Sequence, residues 1–131
     1  MGRDPRELLA IFVGGVIGTW VRALVGVSLV TPTGDWPWAT FLVNVVAAFL
    51  LGYFSTRLLE RLPASDYQRP FLGTGLCGGL STFSTVQVEV VRLFQAGEWA
   101  IAVSYVLASL VAGLVALHVA TALVRRAVVR W

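Results

Sequence analysis

Gly73-Thr-Gly-Leu-Cys-Gly-Gly-Leu-Ser-Thr-Phe-Ser-Thr85 sets four glycines and five hydroxyl residues inside an otherwise apolar stretch. Glycine weakens a helix, and hydroxyls or bared backbone groups are costly in hydrocarbon unless they line a cavity or bind something polar. In a segment that crosses a bilayer, this run predicts a helix broken near its middle beside a pathway for a polar ligand.

Working outward, the composition is that of a membrane protein: 57% hydrophobic, 13% charged, mean hydropathy +0.80. Four apolar segments, residues 8–30, 37–59, 69–94 and 99–124, each reach the ~20 residues needed to span a bilayer. The expectation is an all-α integral membrane protein with four transmembrane helices, forming one domain over residues 1–131. Little chain remains for a catalytic domain, so an enzyme is not expected. The first span is longer than a signal-peptide core and lacks a convincing small-residue cleavage site, so it reads as retained. Cys77 is the only cysteine, which allows neither an internal disulfide nor a cysteine metal cluster.

All ten basic residues are Arg. Four spans place both termini on one side, together with Arg3, Arg6, Arg57, Arg61, Arg69, Arg125, Arg126 and Arg130; the other side receives only Arg92, and Arg22 falls within the first span. Arg excess marks the cytoplasmic face, so both termini are expected in the cytoplasm of a multi-pass cell-membrane protein. The loops from Pro32 to Trp38 and Gln95 to Glu98 are then external, with Trp36, Trp38 and Trp99 forming an aromatic belt. The pI near 9.8 does not signal nucleic acid, because these Arg residues flank spans and build no soluble basic patch.

Within the spans, Gly14, Gly18, Arg22 and Gly26 share one helix face with Gly15 alongside, a spacing that lets helix backbones approach closely. Arg22, roughly 12 Å from the outer end at the usual rise per residue, needs a cavity, a partner or a long snorkel. A structural lock and an anion-attracting vestibule residue both remain open for it. Asn44 stands one turn after Thr40 in an almost wholly apolar second span; its amide requires a partner, either another helix or a ligand. Tyr105, Ser109 and Gly113 recur at four-residue spacing as a possible polar ladder in the fourth span, although serines in membrane helices often bond back to their own carbonyls. His118 reads as interfacial, and Glu89 as a solvated or paired residue near the outer mouth, close to Arg92.

The available groups are amide N–H, hydroxyl O–H, aromatic edges and one Arg, with no acidic cluster and no nucleophile paired to a base. These are anion-binding tools. Phe83 can meet a small anion with its positive ring edge. Weak neutral donors suit conduction, where an ion must be compensated for lost water yet released again. A helix interruption also bares carbonyl oxygens that can hold a cation such as Na+.

Three segments, Gly14-Gly-Val-Ile-Gly-Thr-Trp-Val-Arg22, Thr40-Phe-Leu-Val-Asn44 and Gly75-Leu-Cys-Gly-Gly-Leu-Ser-Thr-Phe-Ser-Thr85, resemble in order the helix motifs of the Fluc (CrcB-type) fluoride ion channels. The resemblance covers nearly the whole chain. It implies an antiparallel dimer with two pores, each lined from both subunits, that lowers cytoplasmic fluoride by passive export and confers fluoride resistance. By the same resemblance Asn44 and Phe83 line the fluoride pore, Tyr105 and Ser109 continue a polar track, Arg22 and Thr40 stand nearby, and Gly78 and Ser81 give carbonyls to a structural central Na+. Fluoride ion and membrane lipid are the implied partners.

Three positions depart from that family's pattern. Val86 occupies the place of a second Phe, Gly113 that of a hydroxyl residue, and Ser81 that of the usual Thr. Together with the one-sided Arg distribution, Val86 suggests an alternative: a chain inserted in one orientation that pairs as a heterodimer with a homologous, oppositely oriented subunit, one pore being impaired or the subunit non-conducting. A small four-helix multidrug exporter is a weaker alternative, because residues 8–30 contain no carboxylate; only Glu89 could substitute.

Overall fold

The computed structural model describes residues 4–60 and 66–127; within them the chain is helical, with no strand. Arg3, Arg61 and Arg130 of the charge count lie outside the described residues. Among the described residues, three helices are long and apolar enough to cross a membrane: α1 (Pro5–Ser28), α2 (Trp38–Glu60) and α5 (Trp99–Arg126). The stretch expected at 69–94 instead forms a π-helical segment (Pro70–Cys77), a single turn α3 (Gly78–Leu80) and the helix α4 (Ser84–Gln95).

Helix ends explain the shifted boundaries. Asp4 accepts the Arg6 N–H at 2.9 Å and Pro5 supplies a preset φ at the first position, so α1 begins three residues ahead of its apolar stretch. At the end of α4, Gly97 takes φ +78°, which lets its own N–H reach Phe94 O (3.1 Å) and the Glu98 N–H reach Leu93 O (2.9 Å), the doubly bonded stop that glycine makes inexpensive. The chain can therefore turn directly into α5.

Two glycine contacts set the packing. A Cβ on Gly14 would strike Phe71 O, and one on Gly18 would strike Leu76 O, so α1 lies backbone to backbone on the π-helical segment; Gly75 and Gly79 meet Ile11 O and Gly15 O from the other side. Gly26, on the same face of α1, meets nothing and plays no part in this contact. On the opposite side Gly52 of α2 lies against Leu117 O of α5, with a Cβ 2.6 Å away if one were present. Thr56 bonds Thr121 Oγ1 at 3.3 Å one turn on, and Arg125 forms an ion pair with Glu60 at 2.6 Å.

These contacts give the helices their directions. Tyr67 donates to Asp4 at 3.1 Å, so the start of α1, the ends of α2 and α5 and the entry to the π-helical segment share one end of the molecule. Trp36, Phe41 and Tyr105 form an edge-to-face cluster at the other, joined by the Phe94–Trp99 pair 4.8 Å apart. Among the described residues, Arg6, Arg57, Arg69, Arg125 and Arg126 lie toward the first end and Arg92 toward the second.

Candidate functional site

Helical order lapses after Leu80. Ser81 is extended (φ −76°, ψ 154°), Thr82 follows, and regular helix resumes at Ser84. In an uninterrupted helix the Thr82 N–H would return to Gly78 O and the Thr85 N–H to Ser81 O. Both donors are diverted. Asn44 Oδ1 accepts the Thr82 N–H at 2.8 Å, and Thr82 Oγ1 accepts the Thr85 N–H at 3.2 Å. The carbonyls of Gly78 and Ser81 thereby lose the donors that a continuous helix would bring them.

Asn44 makes a second bond to the same residue, its amide N–H donating to Thr82 O at 3.0 Å. One side chain thus completes both main-chain groups of Thr82 from across the helix interface. Of its two reading options in sequence, the interhelical hydrogen bond is present, and one Nδ2 hydrogen remains for another acceptor.

Between α2, the broken segment and α5 runs a cleft of about 650 Å³. Asn44, Ser81, Phe83, Val86 and Ser109 line it, with Gly78 at its floor. No ionisable carboxylate or base is among its lining residues; the thiol of Cys77 is buried in its wall. Phe83 is a large apolar side chain with 75% of its surface exposed. Ser109 Oγ is buried and has no hydrogen-bond partner, so the back-bond to its own helix carbonyl is not made. Gly113 faces open space and adds no group to the ladder.

Thr40, Tyr105 and Arg22 are not brought into that cleft. Tyr105 is wholly buried and donates to Glu89 Oε2 at 2.7 Å, while Thr40 donates to Glu89 Oε1 at 2.6 Å. Glu89 is therefore paired, its partners being two neutral hydroxyls on α2 and α5, and it borders a cavity together with Arg92. The physical reason is cost: a carboxylate among apolar helices needs donors, and hydroxyls supply them without a second charge to desolvate. Arg22 borders a separate cavity of about 200 Å³ with Thr19, Thr40, Thr82 and Thr85. Thr82, part of both cavities, was not singled out from sequence, although a Thr three residues before another at a helix start is the spacing of an N-cap.

Comparison with known proteins gives the same motifs a family. The model of the CrcB-like protein, Camphor Resistance (CrcB), family matches residues 9–121. The chain belongs to the CrcB family. Relatives of this CrcB chain include the protein named fluoride-specific ion channel FluC 1 of Mycobacterium bovis, 55% identical over 127 residues that cover 97% of this chain and 96% of the relative. The fluoride-specific ion channel FluC of Agrobacterium fabrum is 40% identical over 91% of the chain and 96% of its own length. FluC 2 of Nocardia farcinica is 38% identical over 93% and 87%.

Among the described residues of this CrcB chain no group of three His, Cys, Asp or Glu side chains could hold a metal. Neutral main-chain and hydroxyl oxygens are the oxygen donors at the break. The two carbonyls released by Asn44 and Thr82 have the right chemistry for a hard monovalent ion, which favours oxygen donors of low charge.

Proposed function

We propose that this chain is a subunit of a fluoride-selective channel that lets fluoride leave the cytoplasm passively, as the names of its relatives suggest. It is not an enzyme. The observation that carries the reading is the uncharged cleft where Asn44, Phe83 and Ser109 converge beside an interrupted helix. A free amide hydrogen, a buried unpaired hydroxyl and an exposed ring edge replace water around a small anion without holding it as a fixed cation would. Hydrogen fluoride enters from acidic surroundings uncharged and dissociates in a neutral cytoplasm; a passive pore then returns the anion down the membrane potential, with no fuel.

On this reading the segments from Pro70 to Gln95 act as one interrupted third span, and the open cleft with its exposed Phe83 is completed by an antiparallel second subunit. Thr40 and Arg22, around a cavity that shares Thr82 with the cleft, serve its approach, and both termini are cytoplasmic. Gly78 and Ser81 would hold a structural Na+ through their released carbonyls, fixing the break at the wall of the cleft.

The second subunit is a copy of this chain or a homologous subunit of opposite orientation. Val86 favours the homologue, because a valine offers no ring edge where a facing aromatic is needed, and relatives carry numbers such as FluC 1 and FluC 2.

Purified protein in liposomes tests the function through fluoride efflux read by a selective electrode. Efflux that is abolished by Asn44→Asp, with assembly retained by size-exclusion chromatography, is the expected result. Absence of fluoride flux from the chain both alone and with a homologous partner overturns the reading.

A further inference from the structure

We propose that Thr82 is the positioning residue that aims Phe83 into the cleft. The inference rests on the reading of Phe83 as a pore-lining side chain. Phe83 itself is held by very little: it is 75% exposed and makes no hydrogen bond through its ring. Its direction must come from the backbone on either side.

Thr82 fixes that backbone with every polar atom it has. Its N–H and C=O are both bonded to the Asn44 amide, at 2.8 and 3.0 Å. Its hydroxyl accepts the Thr85 N–H at 3.2 Å, capping the first turn of α4, and donates to Thr85 Oγ1 at 3.0 Å. The residue is only 8% exposed, so most of its surface is taken up by protein neighbours. Phe83 is therefore caught between a clamp on α2 and the capped start of α4. Either bond set alone would leave a rotation free: the clamp without the cap lets α4 swing about Phe83, and the cap without the clamp lets the whole turn slide along α2.

The same bonds keep the break open. They occupy the two N–H groups that would otherwise pull Thr82 and Thr85 back into a continuous helix, in which Phe83 would be rotated out of its present direction. Local side-chain bonding of this kind is the known competitor of helix propagation by threonine.

The test combines a structural probe with transport. With 4-fluorophenylalanine at position 83, the wild-type protein should give one narrow 19F resonance, since the fluorine lies on the ring axis and is blind to ring flips. Thr82→Val, which preserves shape and removes the hydroxyl, should broaden or split that resonance. Fluoride flux should fall severalfold, through the maximal rate more than the half-saturating concentration. Thr82→Ser should rescue both readouts. A single unchanged resonance together with unchanged flux in an assembled Thr82→Val protein overturns the proposal.

Should Thr82→Val not assemble, hydrogen exchange of the unmodified protein decides: the Thr82 and Thr85 amides are expected to exchange slowly despite lying at a helix break, and fast exchange at both overturns the clamp. Loss of the fluoride reading is a separate outcome, because absent flux in the wild type leaves the resonance and the exchange rates to decide on Thr82.

Discussion

Tyr105 and Glu89 meet at 2.7 Å, the wholly buried phenol donating to a carboxylate that is itself half-buried. With Thr40 on the other oxygen, this one carboxylate ties α2, α4 and α5 together at the aromatic end of the molecule. A charge inside an apolar bundle is thus used as a three-way joint.

Removing one donor leaves a half-buried carboxylate oxygen short of a partner. Tyr105→Phe is expected to cost about 1–3 kcal/mol of stability, read as a lower unfolding temperature by tryptophan fluorescence in detergent. An unfolding curve superimposable on the wild type would mean that water replaces the phenol freely.

Gly18 and Gly26 lie on one face of α1 and should answer differently to the same substitution. A methyl group at Gly18 collides with Leu76 O and approaches Leu80 N at 2.7 Å, main-chain atoms that cannot step aside. Gly18→Ala should abolish recovery of folded protein. Gly26→Ala, with nothing within 4 Å, should be tolerated and gain about 0.5–1 kcal/mol from helix propensity. Equal behaviour of the two variants in fluorescence-detected size exclusion contradicts the close packing of α1 on the π-helical segment.

Ser109 carries a buried hydroxyl with no partner, so stability does not require it. Ser109→Ala is expected to leave the unfolding temperature within error and to reduce fluoride flux in liposomes. Wild-type flux in the alanine variant removes Ser109 from the pathway.

Val86 borders the cleft and also packs against the cluster around Leu93, Ala102 and Tyr105. Val86→Phe supplies the ring edge that position lacks, extending into open cleft volume. If the chain alone conducts poorly for want of that ring, flux from the single-chain preparation should rise severalfold; no gain, or a loss, argues that the valine is matched to its surroundings.

The apolar runs determined the helices of this protein before any packing was known, because a segment in lipid must satisfy its own backbone and few structures can do so. The glycine and hydroxyl residues between Gly73 and Thr85 coincide with the lapse of regular helix between Leu80 and Ser84. The helix starts were less legible: Pro5, Arg6 and Glu7 do not look like a membrane span, yet Asp4 caps them into α1.

Which groups met was decided only in three dimensions. Nothing in the order of residues shows that Asn44 would spend its amide on Thr82, thirty-eight positions away, or that Glu89 would choose Thr40 and Tyr105 over the nearby Arg92. Periodicity says which face a residue occupies on its own helix. The partner across the interface depends on the rotation and depth at which helices come to rest, and here those were set by backbone contacts at Gly14, Gly18 and Gly52 that leave no room for any other register.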